Sequence, residues 1–208
     1  MTGFVQPDGF RLYPGRLDSK ASAALIEQVL AALDEAPLYR PTMPRTGAAL
    51  SVRMSNFGPL GWVTDKAHGY RYEERHPLTG ALWPAMPQVL LDLWDQLAGW
   101  PDPPEACLIN WYDETARMGL HVDNDERAVN APVVSISLGD KARFRLGGPE
   151  RKGKTGSFVL STGDVVVLAR AARRCHHGVD RIYPGTSRAL PDAWRPGRIN
   201  LTLRRVNP

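Results

Sequence analysis

The sequence is poor in cysteine and lacks any long apolar run. Only Cys107 and Cys175 occur among 208 residues, too few for a disulfide framework, so we expect a reducing, cytoplasmic location. No stretch approaches the roughly 20 apolar residues that a membrane-spanning helix requires. The N-terminus also lacks the basic-then-apolar pattern of a secretory signal. These absences argue against a membrane protein and against a disulfide-stabilised secreted module.

The sequence also lacks internal repeats, low-complexity segments and any linker that would separate two folding units. We therefore expect a single domain over residues 1–208. Glycine and proline, by contrast, are plentiful, with 19 and 18 residues respectively. Because both residues favour turns, this composition favours a β-rich architecture over a helical bundle.

Two apolar patterns of helical period occur in the first half of the chain. The first follows a capping residue at Asp18 or Ser19 and ends before Pro37. The second runs from about Pro84 to Leu97. Both apolar stripes are typical of helices that pack on a core.

From Cys107 onward, short β-prone runs are separated by Gly, Pro, Asp or Asn. The runs are CLINWY, PVVSISLG, ARFRLGG, SFVLSTG, DVVVLAR and INLTLRRV. LGDK (138–141) predicts a hairpin turn between the second and third runs. Two helices followed by six strands predict a mainly β fold, a sandwich or barrel with flanking helices.

Positive charge is concentrated in the second half of the chain. Residues 1–100 carry 9 Lys+Arg against 10 Asp+Glu, a net charge of −1, whereas residues 101–208 carry 17 against 12, a net charge of +5. The segment 141–154 (KARFRLGGPERKGK) holds six basic residues and one acid. Such clustering favours a polyanionic partner such as nucleic acid, although most basic stretches are only solvated surface.

The stretch GLHVDNDE (119–126) places His121 and Asp123 two residues apart. In an extended segment such residues point to the same side, so both side chains can converge on one ion. His177, in CHHG (175–178), offers a third ligand just beyond the run DVVVLA. Two histidines and one carboxylate form the facial triad that leaves three positions open on Fe(II).

Other interpretations of these residues stay open at this stage. His121 and Asp123 could belong to a solvated acidic turn, and His177 alone could be a structural histidine. Cys175, His176 and His177 could instead hold zinc together with His121, although closed zinc sites usually draw their ligands in spaced pairs.

The segment RINLTLRR (198–205) alternates polar and apolar residues like a strand. One face of this strand is polar and consists of Arg198, Asn200, Thr202 and Arg204. Burying two arginines inside a barrel would be costly without a bound anion. A dicarboxylate would satisfy both, because the guanidinium fork matches a carboxylate. The alternative is an edge strand with this face in solvent.

Taken together, these motifs resemble the AlkB-type Fe(II)- and 2-oxoglutarate-dependent dioxygenases, a family of nucleic-acid demethylases. The resemblance is strongest for bacterial members and covers the greater part of the chain in order. It runs through LSVRMSNFGPLGW (50–62), WPAMPQ (83–88), ACLINWY (106–112), LHVDNDE (120–126), APVVSISLG (131–139), GDVVVL (163–168), HHGV (176–179) and RINLTLR (198–204). It implies a double-stranded β-helix (jelly-roll) core in residues 106–208, with helices and a nucleotide-recognition segment in residues 1–105.

The resemblance also assigns two sets of cofactor residues. It implies that iron is held by His121, Asp123 and His177. It implies that the co-substrate 2-oxoglutarate is bound by residues of the sheet, namely Asn110, Tyr112, Arg198, Asn200 and Arg204. Within that second set, Arg198 is expected at the far carboxylate and Arg204 at the carboxylate next to the keto group.

For the substrate, the resemblance implies that Trp62 stacks on the extruded base and that His121 covers its other face. Asp125 is expected to line the base pocket and Tyr70 to contact the nucleic-acid backbone. A carboxylate such as Asp125 suits a base made cationic by methylation. The base must be flipped out or already single-stranded, because its edge is out of reach inside a duplex.

The implied reaction consumes O2 and removes alkyl groups from bases such as 1-methyladenine and 3-methylcytosine, releasing formaldehyde, succinate and CO2. Alkylated single-stranded DNA is the expected partner, duplex DNA and RNA are further candidates, and a monomer is expected. One alternative keeps the cofactor chemistry but acts on modified RNA or on protein. Another is a jelly roll that binds nucleic acid without catalysis.

Overall fold

The computed structural model describes residues 4–208, in which short strands alternate with two α-helices. The helices are α1 (Ser19–Glu35) and α2 (Gln88–Leu97). The strands of the first half are β1 (Phe10–Tyr13), β2 (Arg53–Phe57), β3 (Gly61–Asp65) and β4 (Gly69–Glu73). The strands of the second half are β5 (Ala106–Tyr112), β6 (Met118–His121), β7 (Val133–Gly139), β8 (Lys141–Leu146), β9 (Gly156–Leu160), β10 (Val165–Leu168), β11 (His177–Tyr183) and β12 (Arg198–Arg204). Short 3-10 helices cover Arg170–Arg174 and Asp192–Trp194.

These strands form two antiparallel sheets and one separate hairpin. The major sheet has the order β1-β10-β7-β12-β5-β2, the minor sheet has the order β6-β11-β8-β9, and β3 pairs with β4. From β5 to β8 and again from β9 to β12, each strand lies in the sheet opposite to its predecessor. This alternation gives the double-stranded β-helix, so the predicted jelly-roll core with flanking helices is confirmed.

The hairpin predicted at LGDK (138–141) is wrong, because β7 and β8 lie in different sheets. β7 pairs with β10 and β12, whereas β8 pairs with β9 and β11. The buried carboxylate of Asp140 fixes this corner by accepting backbone N–H groups from Gly185, Ser187 and Gly197. These partners are distant in sequence, so the local turn pattern could not reveal them.

The two helices match the sequence predictions at three of their four ends. The side chain of Asp18 accepts a hydrogen bond from the Ala21 N–H at 2.8 Å, a cap that contributes about 1 kcal/mol, and α1 ends before Pro37. α2 ends at Leu97, as predicted, but begins at Gln88 rather than near Pro84. Proline disfavours helical backbone in the residue before it, so Pro87 delays the start.

Apolar side chains cover both faces of the major sheet. On the outer face, α1 and α2 bury a core that includes Leu25, Trp94, Ile136 and Leu201. On the inner face, a second core between the sheets includes Phe144 and Val166. The polar face of β12 is also buried, so the functional side chains lie inside the fold.

Strands from the first 105 residues extend the major sheet at both of its edges, since β1 pairs with β10 and β2 pairs with β5. The β3–β4 hairpin is attached beside β2 by Asn56. The Asn56 side chain accepts from the Trp62 N–H at 3.1 Å and donates to the Trp62 carbonyl at 3.3 Å. Across residues 4–208, neither helix has the length and apolar character needed to traverse a lipid bilayer.

Candidate metal and co-substrate site

The two candidate histidines are direct neighbours across a pair of strands. His121 is the last residue of β6, a strand that the sequence patterns did not predict, and His177 is the first residue of β11. The register pairs them, and their ring centroids lie 4.6 Å apart. With Asp123, two residues beyond β6, they offer three potential ligand atoms that all lie within 4.8 Å of one another.

The protonation of both rings suits a metal. The Nδ1 atom of His121 lies 2.8 Å from the Gly119 carbonyl, and that of His177 lies 3.1 Å from the Cys175 carbonyl. Because a carbonyl only accepts, each Nδ1 carries a hydrogen, and the Nε2 atom of the neutral ring is then the one that can bind a metal. Both Nε2 atoms lie 3.5 Å from a carboxylate oxygen of Asp123.

The carboxylate of Asp123 is buried and only partly satisfied. Among the described residues, its Oδ2 has no hydrogen-bond partner, which is costly for a buried anionic oxygen. Burial opposes the charge, but the surroundings of Asp123, chiefly the Arg204 guanidinium, hold its pKa well below the usual range. An anionic oxygen and two imidazole lone pairs therefore converge on one point, and this donor set fits Fe(II).

Gly178 brings the two strands of this site close together. A Cβ atom at this position would lie 2.5 Å from the Met118 carbonyl oxygen and 2.8 Å from that of Gly119. Real Cβ atoms do not approach backbone so closely. A glycine after His177 is therefore required if β6 is to place His121 beside it.

The zinc alternative is wrong in the part of the chain that the structure describes. The Cys175 thiol donates to the Ala171 carbonyl at 3.3 Å, and His176 Nδ1 lies 3.4 Å from the Gly148 carbonyl. Neither residue belongs to the group of potential ligand atoms around Asp123. The ligand-like histidine is thus His177 rather than His176.

Arg204 is hydrogen-bonded to the metal-site carboxylate of Asp123. Its Nη2 donates to Asp123 Oδ1 at 2.7 Å, and its Nη1 donates to Glu126 Oε1 at 2.8 Å and to the Tyr72 hydroxyl at 3.2 Å. The Nε–H of Arg204 has no hydrogen-bond partner among residues 4–208. Most of the charge of Arg204 is therefore compensated within the protein, and one donor remains.

Arg198, at the other end of the same strand face, is only 1% exposed and has no carboxylate partner in the described chain. Its Nη2 donates to Ser137 Oγ at 2.8 Å, while Nε and Nη1 make no hydrogen bond there. Burial lowers the pKa of Arg198 to about 10. A buried guanidinium with two free donors is a site for an anion.

The predicted co-substrate residues share one buried face of the major sheet. The register places Arg198 opposite Tyr112 and Asn200 opposite Asn110. β12 lies between β7 and β5, so the edge-strand alternative is wrong. Asn110 Oδ1 is buried without a hydrogen-bond partner in the described residues, and burial raises the pKa of Tyr112 to about 12. These polar side chains lie on the same face of the sheet as Arg198 and Arg204, and Arg204 contacts the metal-site carboxylate of Asp123.

The three predicted substrate residues also lie together, at the hairpin. The Trp62 indole N–H donates to Asp125 Oδ2 at 2.7 Å, and the rings of Trp62 and Tyr70 stack with centroids 5.6 Å apart. Tyr70 is 50% exposed, so a large part of this residue reaches solvent. An aromatic surface and an exposed carboxylate thus stand beside the metal site.

Sequence reasoning missed the buried charges that hold the site together. Glu126 accepts from Arg204, from Tyr72 and from Arg173, whose Nη2 lies 2.8 Å from Glu126 Oε2. Arg173 also donates to the backbone carbonyl of Asp123. Glu126 lies in the stretch GLHVDNDE, so its closeness to His121 and Asp123 could have pointed to a role in the site. Arg173 lies in a 3-10 helix, and no motif marks it.

The basic segment 141–154 divides into two parts. In β8, Arg143 and Arg145 form ion pairs with Asp180 at 2.7 and 3.0 Å, which neutralises part of their charge. Beyond β8, the exposed loop carries Arg151 and Lys152. Segment 141–154 is therefore partly a solvated sheet surface and partly a basic loop.

Known proteins resemble this chain over almost its whole length. The model of the 2OG-Fe(II) oxygenase superfamily matches residues 9–204. An alpha-ketoglutarate-dependent dioxygenase AlkB homolog of Caulobacter vibrioides is 52% identical over 200 residues, which are 95% of this chain and 88% of that protein. The AlkB dioxygenase of Escherichia coli K12 is 38% identical over 195 residues, which are 92% and 88% of the two chains. The solved structure of OsALKBH1 has a TM-score of 0.77 at 29% identity and covers 97% of this chain and 98% of its own.

A His-Asp-His group inside a jelly roll and a family match over most of the chain define a 2OG-Fe(II) oxygenase. Within that superfamily the chain belongs to the AlkB family, as its identity to two bacterial members shows. The resemblance read from the motifs is thereby confirmed. The protein is a dioxygenase that uses Fe(II), 2-oxoglutarate and O2.

Proposed function

We propose that this protein oxidatively removes alkyl groups from N-alkylated bases in nucleic acid, releasing formaldehyde, succinate and CO2. The proposal rests on the observation that three features occur together in one site. They are three potential metal ligands, a buried arginine without an anion, and a hairpin with aromatic side chains. Relatives in the family are named for acting on nucleic acid, including an Arabidopsis DNA N(6)-methyladenine demethylase and a fission-yeast tRNA demethylase.

In this proposal, Nε2 of His121, Oδ2 of Asp123 and Nε2 of His177 would hold the iron, which would supply the oxidising chemistry that acts on the alkyl carbon. Arg204 keeps Asp123 anionic and oriented through the bond to its Oδ1. Both Nδ1–H groups are fixed by backbone carbonyls, so the rings cannot rotate away from the metal.

We propose that 2-oxoglutarate lies along the polar face of the major sheet. Its far carboxylate would receive the free donors of Arg198, with Tyr112 and Asn200 beside it. The carboxylate next to the keto group would meet Arg204 Nε–H and Asn110. These side chains are buried away from bulk water, and this strengthens each charge-assisted hydrogen bond that they would make.

We propose that the extruded base stacks on Trp62, while Asp125 contributes a negative charge that favours cationic lesions such as 1-methyladenine and 3-methylcytosine. Tyr70 would contact the sugar–phosphate backbone, and the loop with Arg151 and Lys152 would attract phosphates. Single-stranded DNA is the preferred partner in this account, because it presents the base without the cost of opening a duplex. Action as a monomer in the cytoplasm, with residues 1–208 forming one domain, stays a prediction.

The test is aerobic incubation with Fe(II), 2-oxoglutarate and an oligonucleotide that carries one 1-methyladenine, in single-stranded and duplex form. Mass spectrometry follows the loss of the methyl group, and succinate is quantified in parallel. We expect equal amounts of repaired base and succinate, faster on the single strand, and neither product with His121→Ala. Succinate without repair would redirect the search to another substrate, and neither product from iron-loaded protein would favour a non-catalytic binding module.

The role of Asp125 has a separate test. We expect Asp125→Asn to lower the ratio of kcat/KM for 1-methyladenine over a neutral lesion such as 3-methylthymine by about tenfold. Asp95→Asn, an isosteric change on the exposed face of α2, is the matched control. An unchanged ratio in Asp125→Asn would contradict the proposed electrostatic preference.

A further inference from the structure

The β3–β4 hairpin is hydrogen-bonded to two successive carboxylates in the loop that follows Asp123. Trp62 and Tyr72 are paired residues in the hairpin register, so their side chains share one face. The Trp62 indole N–H donates to Asp125, and the Tyr72 hydroxyl donates to Glu126. The surface proposed to stack on the base and the loop that carries a metal ligand are thus directly connected.

The Tyr72 hydroxyl continues this connection to the metal site. It donates to Glu126 Oε1 and accepts from Arg204 Nη1 at 3.2 Å, while Arg204 Nη2 donates to Asp123 Oδ1 at 2.7 Å. Burial raises the pKa of Tyr72, so the hydroxyl keeps its proton and both hydrogen bonds at neutral pH. A continuous chain of polar contacts therefore runs from the hairpin through Arg204 to Asp123.

We infer that Tyr72 is a positioning residue that couples the binding of the nucleic-acid base to the binding of 2-oxoglutarate. This inference rests on the proposed function, in which the base stacks on Trp62 and Arg204 meets the co-substrate. A base seated on the hairpin fixes the position of Tyr72, and Tyr72 in turn fixes the Arg204 guanidinium. Arg204 then presents its remaining donor with less orientational freedom, so the second ligand binds more tightly.

If Tyr72 acts in this way, each of the two ligands should strengthen the binding of the other, and this effect should depend on the Tyr72 hydroxyl. In Mn(II)-loaded protein, we expect the Kd of 2-oxoglutarate, measured by calorimetry, to fall at least about fivefold in the presence of a saturating single-stranded 1-methyladenine oligonucleotide. In Tyr72→Phe we expect the ratio of the 2-oxoglutarate Kd without oligonucleotide to the Kd with oligonucleotide to fall below about twofold. The Kd of each ligand alone should change less than about threefold. The phenyl ring keeps its packing against the inner core, so the fold is retained. Tyr13→Phe, which removes a hydroxyl from β1, is the matched control and should keep the wild-type ratio.

Turnover provides a second readout. In Tyr72→Phe we expect succinate to exceed formaldehyde by about twofold or more, because 2-oxoglutarate is consumed without a correctly placed base. In the wild type and in Tyr13→Phe the two products should be equal.

The outcomes separate the inference from the proposed function. A wild type that neither binds nor repairs the oligonucleotide would overturn the proposed function, and the inference with it. Repair by the wild type together with a Tyr72→Phe ratio equal to that of the wild type would overturn the inference alone. A large loss of 2-oxoglutarate affinity in Tyr72→Phe without oligonucleotide would also overturn it, because Tyr72 would then only support the pocket.

Discussion

Arg198 and Arg204 lie six residues apart on one face of β12, both buried, yet their surroundings differ in kind. Arg204 contacts two carboxylates and a hydroxyl. Arg198 contacts one serine hydroxyl and leaves two nitrogens without a partner in the described chain. The charge of Arg204 is therefore compensated by carboxylates of the protein, whereas the charge of Arg198 is left for a bound anion to compensate.

This difference follows from the two roles that a buried cation can serve. A guanidinium paired with carboxylates orients its neighbours, and removing it leaves uncompensated buried charge. A guanidinium without an anion costs stability in the free protein, and the cost is recovered when a ligand binds. The contrast predicts that equivalent substitutions at the two ends have opposite effects on stability.

The largest effect is expected at the compensated end. Arg204→Met leaves Asp123 and Glu126 buried without their main cation and should cost about 3–5 kcal/mol of unfolding free energy. Urea unfolding of the metal-free protein measures this cost. A loss below about 1 kcal/mol would show that the Arg204 end is not compensated in the way the contacts indicate.

At the open end, Arg198→Met should weaken 2-oxoglutarate binding by about a hundredfold, since it removes two charge-assisted hydrogen bonds. The unfolding free energy of the ligand-free protein should stay equal or rise, because an uncompensated buried charge is gone. Calorimetry of the Mn(II)-loaded variant and urea unfolding provide the two measurements. Destabilisation as large as that of Arg204→Met would abolish the contrast.

The ion pair between Arg204 and Glu126 should make the stability of the protein depend on pH. Burial alone would raise the pKa of Glu126, but Arg204, Tyr72 and Arg173 together outweigh it, and the net result is a lowered pKa. The unfolded carboxyl has a pKa near 4.5, so the stabilisation is fully present above that pH and is lost as pH falls through the lower folded value. Glu126→Gln should therefore cost about 2 kcal/mol at pH 7 and much less near pH 3. A cost that does not change with pH would contradict this account.

The smallest effect is expected from a change that touches neither arginine. Gly178→Ala inserts a methyl group against the Met118 carbonyl and should separate β6 from β11. We expect metal affinity to fall about tenfold, roughly 1.4 kcal/mol, with little change in 2-oxoglutarate affinity once metal is saturating. Metal titration by calorimetry checks this, with the alanine variant of Gly148, where an added Cβ would meet nothing within 4 Å, as control. Equal metal affinity in Gly178→Ala and wild type would show that β6 can shift without penalty.

The sequence predicted what depends on local periodicity and failed where distant partners decide. Alternation in RINLTLRR placed Arg198 and Arg204 on one face, and the spacing in GLHVDNDE placed His121 beside Asp123. The turn at LGDK was wrong because Asp140 is fixed by residues 45 or more positions away. The contrast between the two arginines was also hidden, because it depends on Glu126 and Tyr72, which reach Arg204 only through the fold.

The most direct test is a crystal structure of the protein with Mn(II) and 2-oxoglutarate. We expect metal on His121, Asp123 and His177, with the far carboxylate of 2-oxoglutarate on the free donors of Arg198 and the Arg204–Glu126 pair intact. A carboxylate bound elsewhere, or an Arg198 that stays without an anion, would show that this end of β12 does not bind the co-substrate.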